Sequence, residues 1–171
     1  MPTSDSLYPR GRTSPEKALQ KLKHFCGYQE RSHAEVKQKL YSLGLFGKEA
    51  EELISRLIEQ EYLNEERYAI AYASGKSRNN GWGRIKIKHA LGQKGISNYC
   101  ILKALRSLDD SEYMAGFKRI ADKKWNALQS ERNIFVKKSK WQQFLLQRGF
   151  EQTIIKTWSD PEHEQAGSGA D

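Results

Sequence analysis

Several protein classes are excluded by what this sequence lacks. Of its 171 residues, 37% are hydrophobic, and no run approaches the roughly 18 apolar residues that a membrane-spanning helix needs. Residues 1–13 carry no apolar segment behind their arginines, so we expect no secretory signal. The two cysteines, Cys26 and Cys100, lie 74 positions apart, so they form neither a CxxC motif nor a metal-ligand set. We therefore expect reduced thiols, a cytoplasmic location and no membrane association.

Carboxylates are missing from a long central stretch. The chain has 29 Lys and Arg against 21 Asp and Glu, a net charge of +8. Residues 67–108 contain nine basic residues and no acidic one, and residues 113–149 contain nine against two, whereas residues 48–66 contain seven acidic and two basic residues. A single charge run is usually a solvated helix face, but a stretch of this length indicates a surface for nucleic acid, a nucleoprotein or an acidic partner.

Catalytic and cofactor motifs are also missing. His24 and Cys26 are two positions apart, so on a helix they point to different faces and cannot share a metal. The GxG at 81–83 lacks the third glycine and the Lys-Ser/Thr of a phosphate loop, and indicates a turn between helices. Asp109 and Asp110 lie in a polar loop and indicate a helix cap rather than catalytic carboxylates. No Ser or Cys lies in a nucleophile motif, so we expect no enzyme, no cofactor and no metal.

Helix signals run through almost the whole chain between its ends. Ser14-Pro15-Glu16 is a typical helix start, Ser32 and Glu35 fit a capping box, and Asn64 indicates another cap. The alternation at 84–88 resembles a strand, but the following residues continue a helical period and favour a helix. The spacing predicts helices over 14–26, 33–43, 48–60, 65–78, 83–94, 98–108, 111–126, 132–147 and 151–158.

Three glycines, Gly44, Gly95 and Gly149, are 51 and then 54 residues apart and sit in the same pattern. Apolar residues stand eight and four positions before each glycine and one position after it. This register predicts an internal repeat of about 50 residues with three helices in each copy. The predicted organisation is all-α without a sheet, with disordered tails at 1–13 and 159–171 and repeats at 14–63, 64–109 and 110–158.

Four segments together resemble the RecX family: LNEERYA at 63–69, GWGRI at 81–85, LGQKGI at 91–96 and WQQFLLQRGF at 141–150. The likeness covers residues 14 to about 158, and it is specific in the order and spacing of the segments. Two positions depart from the family pattern. Glu65 stands in place of the usual Asp after Asn, and Gln147 in place of a second Arg before the last glycine.

The resemblance implies three tandem three-helix units in an elongated, curved all-α protein. It also implies a bacterial cytoplasmic modulator of the RecA recombinase, which acts in homologous recombination, DNA repair and the SOS response. Such proteins bind the RecA–DNA filament along its groove and mainly inhibit RecA ATPase, strand exchange and filament growth. We expect a monomer with weak, non-specific affinity for single- or double-stranded DNA.

The basic residues of the second and third repeats are the candidates for this surface. Trp82 could stack on a base or a partner side chain, or clamp the helix junction. Tyr68, Tyr72, Trp141 and Trp158 are expected in the core. The candidate contacts are Lys76, Arg78, Arg84, Lys86, Lys88 and Lys94 in the second repeat and Lys123, Lys124, Lys137, Lys138 and Lys140 in the third.

Two other functions compete with filament regulation. One is a plain DNA-binding protein in which a three-helix unit acts as a helix-turn-helix reader. The third helices of the first and last repeats begin with acidic residues, Glu49 and Glu151, which phosphates would repel, so sequence-specific reading is disfavoured. The other is a nuclease or similar enzyme, which the absence of metal-binding carboxylate motifs disfavours.

Overall fold

Residues 12–158 are described by a computed structural model, and within them every regular element is a helix. This confirms the all-α prediction, including a helix rather than a strand over 84–88. The predicted tails at 1–13 and 159–171 lie outside the described residues, apart from Arg12 and Thr13. The helices are α1 (Pro15–Tyr28), α2 (His33–Ser42), α3 (Gly47–Glu59), α4 (Glu65–Asn80), α5 (Arg84–Gln93), α6 (Asn98–Arg106), α7 (Asp110–Ala127), α8 (Ile134–Gln147) and α9 (Gln152–Ile155).

Side-chain caps fix most helix starts. Ser14 and Asn64 accept hydrogen bonds from amides in the first turns of α1 and α4. Ser32 and Glu35 form a full capping box: the Ser32 amide donates to Glu35 Oε2 at 2.8 Å, and the Glu35 amide donates to Ser32 Oγ at 3.2 Å. Asp109 caps α7, as its loop context predicts. These caps satisfy amides that have no partner inside the helix.

The three repeat glycines end α2, α5 and α8 in the same way. Gly44, Gly95 and Gly149 have φ values of 77°, 75° and 82°, which an L side chain rarely adopts. In each case the next residue donates its amide to a leucine carbonyl five positions back, at 3.1–3.2 Å. This is a Schellman motif, and its threefold occurrence confirms the internal repeat.

Each group of three helices has its own apolar core. The first unit (α1–α3) packs aliphatic residues such as Leu22, Leu40 and Leu57. The second unit (α4–α6) is built on Ile87 and Leu91 together with small residues and Tyr68. The third unit (α7–α9) is aromatic. Its core contains Phe117, Trp125, Trp141 and Phe150, and Trp158 packs against it. Contacts between neighbouring units then fix how the units pack on one another.

Side-chain contacts connect the first and second units. Arg67 of α4 donates from Nε to Glu30 Oε1 at 2.8 Å and from Nη2 to the Glu61 carbonyl at 2.7 Å. Tyr68 beside it is buried, and burial together with the Glu35 carboxylate raises its pKa to about 12. The Tyr68 hydroxyl therefore stays protonated at neutral pH, and it faces the capping box of α2.

Backbone hydrogen bonds connect the second and third units. No side chain caps α5. Instead, the Gly83 amide donates to the Arg148 carbonyl at 2.8 Å, and the Ile85 amide donates to the Gly149 carbonyl at 3.0 Å. The Arg84 amide between them donates to the Tyr113 hydroxyl at 2.9 Å. The end of α8 and a side chain of α7 therefore satisfy the free amides of α5, so the two units meet in one register.

The absence of a Cβ at two glycines permits this approach. A Cβ on Gly83 would lie 2.1 Å from the Gly149 carbonyl oxygen, and one on Gly149 would lie 2.3 Å from Lys86 Cβ. Both separations are far inside van der Waals contact. The second glycine of the GWG segment and the glycine of the final RGF segment are therefore two halves of one contact, which we call the glycine junction.

The structure differs from the predicted boundaries at both ends. The last helix is predicted to reach residue 158 but ends at Ile155. Trp158 lies beyond its end and donates from its indole nitrogen to Asp122 Oδ1 at 2.7 Å. At the other end, Thr13 donates its amide to the Leu43 carbonyl at 2.9 Å, and Arg12 pairs with Glu49. These two residues therefore belong to the first unit rather than to a tail.

The glycine junction can be tested by adding one methyl group. We expect Gly83→Ala to lower the free energy of unfolding by about 1–3 kcal/mol, because the new Cβ overpacks the contact. Gly92 in the same helix has open space around its Cβ position. Gly92→Ala should therefore be neutral or stabilising by up to about 1 kcal/mol. Urea denaturation followed by circular dichroism measures both, and equal stabilities would contradict the assigned role of Gly83.

Candidate nucleic-acid and partner interface

Three lysines and two aromatic rings alternate on the second unit. The Lys86 and Lys76 ammonium groups lie 4.8 and 5.0 Å from the Trp82 ring centroid, and Lys76 and Lys94 lie 5.4 and 5.6 Å from that of Tyr72. We call this row the central ladder. Each ammonium is attracted to the face of a ring while remaining partly open to solvent.

Helix geometry and the GWG turn assemble the central ladder. Tyr72 and Lys76 are four residues apart on α4 and therefore share a face. Gly81 ends α4 with φ 61°, and the turn after it places Trp82 beside both Lys76 and Lys86. Burial raises the pKa of Tyr72, which keeps its hydroxyl protonated and uncharged at neutral pH. The rings hold the lysine stems in place, so the cations are partly ordered before any ligand arrives.

A second cationic surface lies where α4, α7 and α8 meet, and we call it the junction groove. It encloses about 390 Å³ and no carboxylate lines it in the part of the chain that the structure describes. Asn79, Asn80 and Phe144 contribute polar and aromatic lining. The cations that line it are Arg78, Arg119, Lys123, Lys124 and Arg148.

The arginines and lysines of the junction groove differ in how firmly they are held. Arg148 donates to the Asn80 carbonyl at 2.7 Å, and its guanidinium lies 5.0 Å from the Phe144 ring centroid. Lys124 approaches the same ring at 4.9 Å. Arg78 pairs with Glu112 at 2.7 Å, but both side chains are more than half exposed, so this pair contributes little and can exchange for another anion.

The junction groove and the central ladder adjoin at the glycine junction. The Lys86 ammonium that begins the ladder also donates to the Gln147 carbonyl at 3.4 Å. The neighbouring Arg148 lines the groove and reaches the carbonyl of Asn80, two residues before Trp82. Lys86 of the second unit and Arg148 of the third unit therefore each contact the other unit beside the glycine junction.

Most of the predicted contact residues reach this surface. Lys76, Lys86 and Lys94 form the ladder, and Arg78, Lys123 and Lys124 line the groove. Lys88 and Lys138 are exposed beyond both features. Lys140 pairs with Glu131 at 2.6 Å.

Two predicted contact residues, Arg84 and Lys137, lie in other surroundings. Arg84 stacks on the Tyr113 ring at 4.1 Å and pairs with Asp110 and Glu151, which leaves its side chain 24% exposed. Its charge is used inside the junction between units. Lys137 is 7% exposed, and its ammonium lies 4.1 Å from the centroid of the buried Trp125 ring. The charge pattern of the sequence does not show which rings and carboxylates lie next to these two side chains.

Tyr113 holds this junction together. Its hydroxyl accepts from the Arg84 amide and donates to Glu151 Oε2 at 2.6 Å. Burial, followed by the hydrogen bond to the Glu151 carboxylate, raises the pKa of Tyr113 far above its ordinary value. The hydroxyl therefore keeps its proton throughout the physiological range and can donate and accept at once.

Arg119 and Arg148 are groove residues that the sequence analysis missed. Arg119 stands four residues before Lys123 on α7, a spacing that places both on one helix face. Arg148 is the arginine of the RGF segment, where the family likeness drew attention to the glycine and not to the cation. The i, i+4 spacing was a readable signal for Arg119. The position of Arg148 depends on contacts with Asn80, which is 68 residues away.

The predicted aromatic residues divide between core and surface. Tyr68 and Trp141 are buried, and Tyr72 and Trp158 pack against their cores while staying partly exposed. Trp82 packs on the second core and borders a cleft that Phe117 and Phe150 of the third unit also line, which fits a clamp at the helix junction; its stacking on a base or a partner stays a prediction. None of the helices within residues 12–158 combines the length and the apolar content that a bilayer span requires.

Comparison with known proteins matches this architecture to one family. The RecX second three-helix domain matches residues 64–105, and the RecX third three-helix domain matches residues 111–158. Together they span more than half of the sequence. This chain belongs to the RecX family.

Similar proteins support the assignment at the level of sequence and fold. A Regulatory protein RecX from Clostridium perfringens is 34% identical over 122 residues, and one from Bacillus cytotoxicus is 25% identical over 141 residues. These alignments cover 70% and 82% of this chain but only 56% and 52% of those proteins. The crystal structure of RecX from Lactobacillus salivarius has a TM-score of 0.74 and 29% identity, covering 84% of this chain and 92% of that one.

The junction groove makes a prediction about salt dependence. If Arg119 and Lys123 contact phosphates, Arg119→Ala/Lys123→Ala should shallow the log–log salt slope for single-stranded DNA by about 0.7 per lost contact. Fluorescence anisotropy at several salt concentrations measures the slope. Lys48→Ala/Arg56→Ala removes the same charge from the acidic side of α3 and serves as the control. Equal changes in both variants would show that only net charge matters.

Proposed function

We propose that this chain is a non-enzymatic regulator that binds the RecA–DNA filament and mainly inhibits RecA ATPase, strand exchange and filament growth. Its membership of the RecX family, whose relatives are named regulatory proteins, supports a regulatory role. We also propose that it acts as a cytoplasmic monomer, with weak non-specific affinity for bare DNA as a component of filament binding.

The observation that carries this proposal is that two cationic features, the central ladder and the junction groove, adjoin at the glycine junction. The ladder and the groove belong to different units, yet backbone hydrogen bonds hold those units in one register. A nucleoprotein filament offers regularly spaced phosphates and subunits. Several weak contacts at fixed spacing strengthen binding together, because each contact raises the effective concentration of the next. A single flexible basic segment would gain less, because its charges are not held at a fixed spacing.

A helix-turn-helix reader is less well supported by the first turns of the third helices. In α6, the amide and hydroxyl of Ser97 both donate to the Glu65 carboxylate, at 3.3 and 2.7 Å. The final helix, α9, spans only Gln152–Ile155, and Glu151 before it is bonded to Tyr113. Carboxylates at these starts would repel the phosphates that a recognition helix must approach.

Inhibition of the single-stranded-DNA-dependent ATPase of RecA is the direct test. We expect this chain to inhibit well below one molecule per RecA. We expect Lys76→Ala/Arg119→Ala to need several-fold more protein, because one contact is removed from each part of the surface. Lys48→Ala/Arg56→Ala should inhibit like the unaltered chain.

The rival function predicts a different pattern. A protein that only coats DNA would inhibit at amounts that saturate the DNA. Its effect would then disappear when extra single-stranded DNA is added at constant RecA. That outcome would replace filament regulation with non-specific DNA binding, and it would leave the cationic surface itself in place.

A further inference from the structure

The first unit contains a cleft that neither the ladder nor the groove includes. It is an open depression between α1 and α2, beside the loop that joins them, with a volume of about 710 Å³. It also lies outside the two segments that match RecX domains. The residues that determine its chemistry are Lys21, His24, Phe25, Tyr28, Arg31 and Lys39.

The charged residues that line this cleft are cationic, although the first unit also contains most of the acidic stretch of residues 48–66. Lys21, Arg31 and Lys39 contribute three positive charges, and no carboxylate lines the cleft among the residues that the structure describes. Glu30 is the neighbouring acid in sequence, but its carboxylate accepts from Arg67 at 2.8 Å. The acidic residues of α3 line a separate surface depression. The charge of the lining therefore favours an anionic ligand over a cationic one.

Arg31 is ordered in a way that leaves its terminal groups available. Its guanidinium lies 3.9 Å from the Phe25 ring centroid, and Nε donates to the Phe25 carbonyl at 3.3 Å. Over residues 12–158, no acceptor is bonded to its two terminal nitrogens. A guanidinium held by its inner nitrogen and its face presents the outer edge that suits phosphate oxygens. Lys39 lies near the same ring, at 5.9 Å.

Tyr28 supplies the other half of the chemistry. It is the last residue of α1 and is 81% exposed, so its ring lies open at the edge of the cleft. A single exposed aromatic residue is unremarkable, but an open ring next to ordered cations is the combination that binds single-stranded nucleic acid, with bases stacked on rings and phosphates on cations. An acidic protein segment would use the cations and leave the ring without a role.

We propose that the cleft between α1 and α2 binds single-stranded nucleic acid, with a base stacked on Tyr28 and adjacent phosphates on Arg31, Lys39 and Lys21. DNA and RNA share this chemistry. The site lies in the first unit alone, so it is separate from the ladder and the groove on which the proposed RecA function depends.

Photocrosslinking of the full chain locates the site. Short oligo(dT) and oligo(rU) carrying 5-iodouracil are bound and irradiated, and the modified peptide is identified by mass spectrometry. We expect a crosslink at Tyr28 with one or both oligonucleotides, and their relative yields assign DNA or RNA as the preferred ligand. Crosslinks confined to the second and third units would overturn the proposal.

Affinity measurements test the two kinds of contact. We expect Tyr28→Ala/Lys39→Ala to weaken oligonucleotide binding about tenfold or more, and Tyr28→Phe to bind normally, because stacking needs the ring and not the hydroxyl. Tyr99→Ala/Lys48→Ala is the matched control, since Tyr99 is also an exposed tyrosine and the charge change is equal. Unchanged affinity in the first variant would refute the site. Displacement by poly-glutamate, with no effect of the Tyr28 ring, would assign it to an acidic protein segment instead.

Discussion

The close approach of Gly83 and Gly149 is the contact on which the arrangement of the second and third units depends. Helix α5 begins without a side-chain cap, so its first amides need acceptors from elsewhere. The C-terminal carbonyls of α8 supply them, which also brings the negative end of one helix dipole to the positive end of another. The acceptor carbonyls can reach these amides only if no side chain separates the two backbones. The hydrogen bonds of α5 therefore depend on the glycines at positions 83 and 149.

This junction decides which charges serve the fold and which face outward. Arg84 stacks on Tyr113 and pairs with two carboxylates. This cation of the carboxylate-free stretch therefore stabilises the contact between the second and third units. Lys76, Lys86 and Lys94 instead lie near the partly exposed rings of Tyr72 and Trp82. Arg148 lies between these roles, because its bond to the Asn80 carbonyl is structural while its guanidinium lines the groove. Net charge alone does not distinguish these environments.

The three units share one plan and differ in surface chemistry. All use a Schellman glycine after their second helix, but the cores are aliphatic, mixed and aromatic in turn. Their surfaces follow separate patterns as well, with the first unit divided between an acidic α3 and a cationic cleft. A tandem array can vary in this way because each core is satisfied within its own unit. Function can then be distributed along the array without disturbing the packing of any one part.

The sequence by itself determined the helices, their caps and the threefold repeat, because these rest on contacts within about five residues. Ser32 with Glu35, and Leu145 with Gly149 and Phe150, are readable at that range. It also predicted a basic surface on the second and third units. Only the tertiary structure decided its composition. Arg119 and Arg148 joined the groove and Lys137 was buried over Trp125, since these outcomes depend on which side chains meet across helices and units. Local periodicity carries no information about such partners, and it could not reveal that Gly83 and Gly149, 66 positions apart, form a single contact.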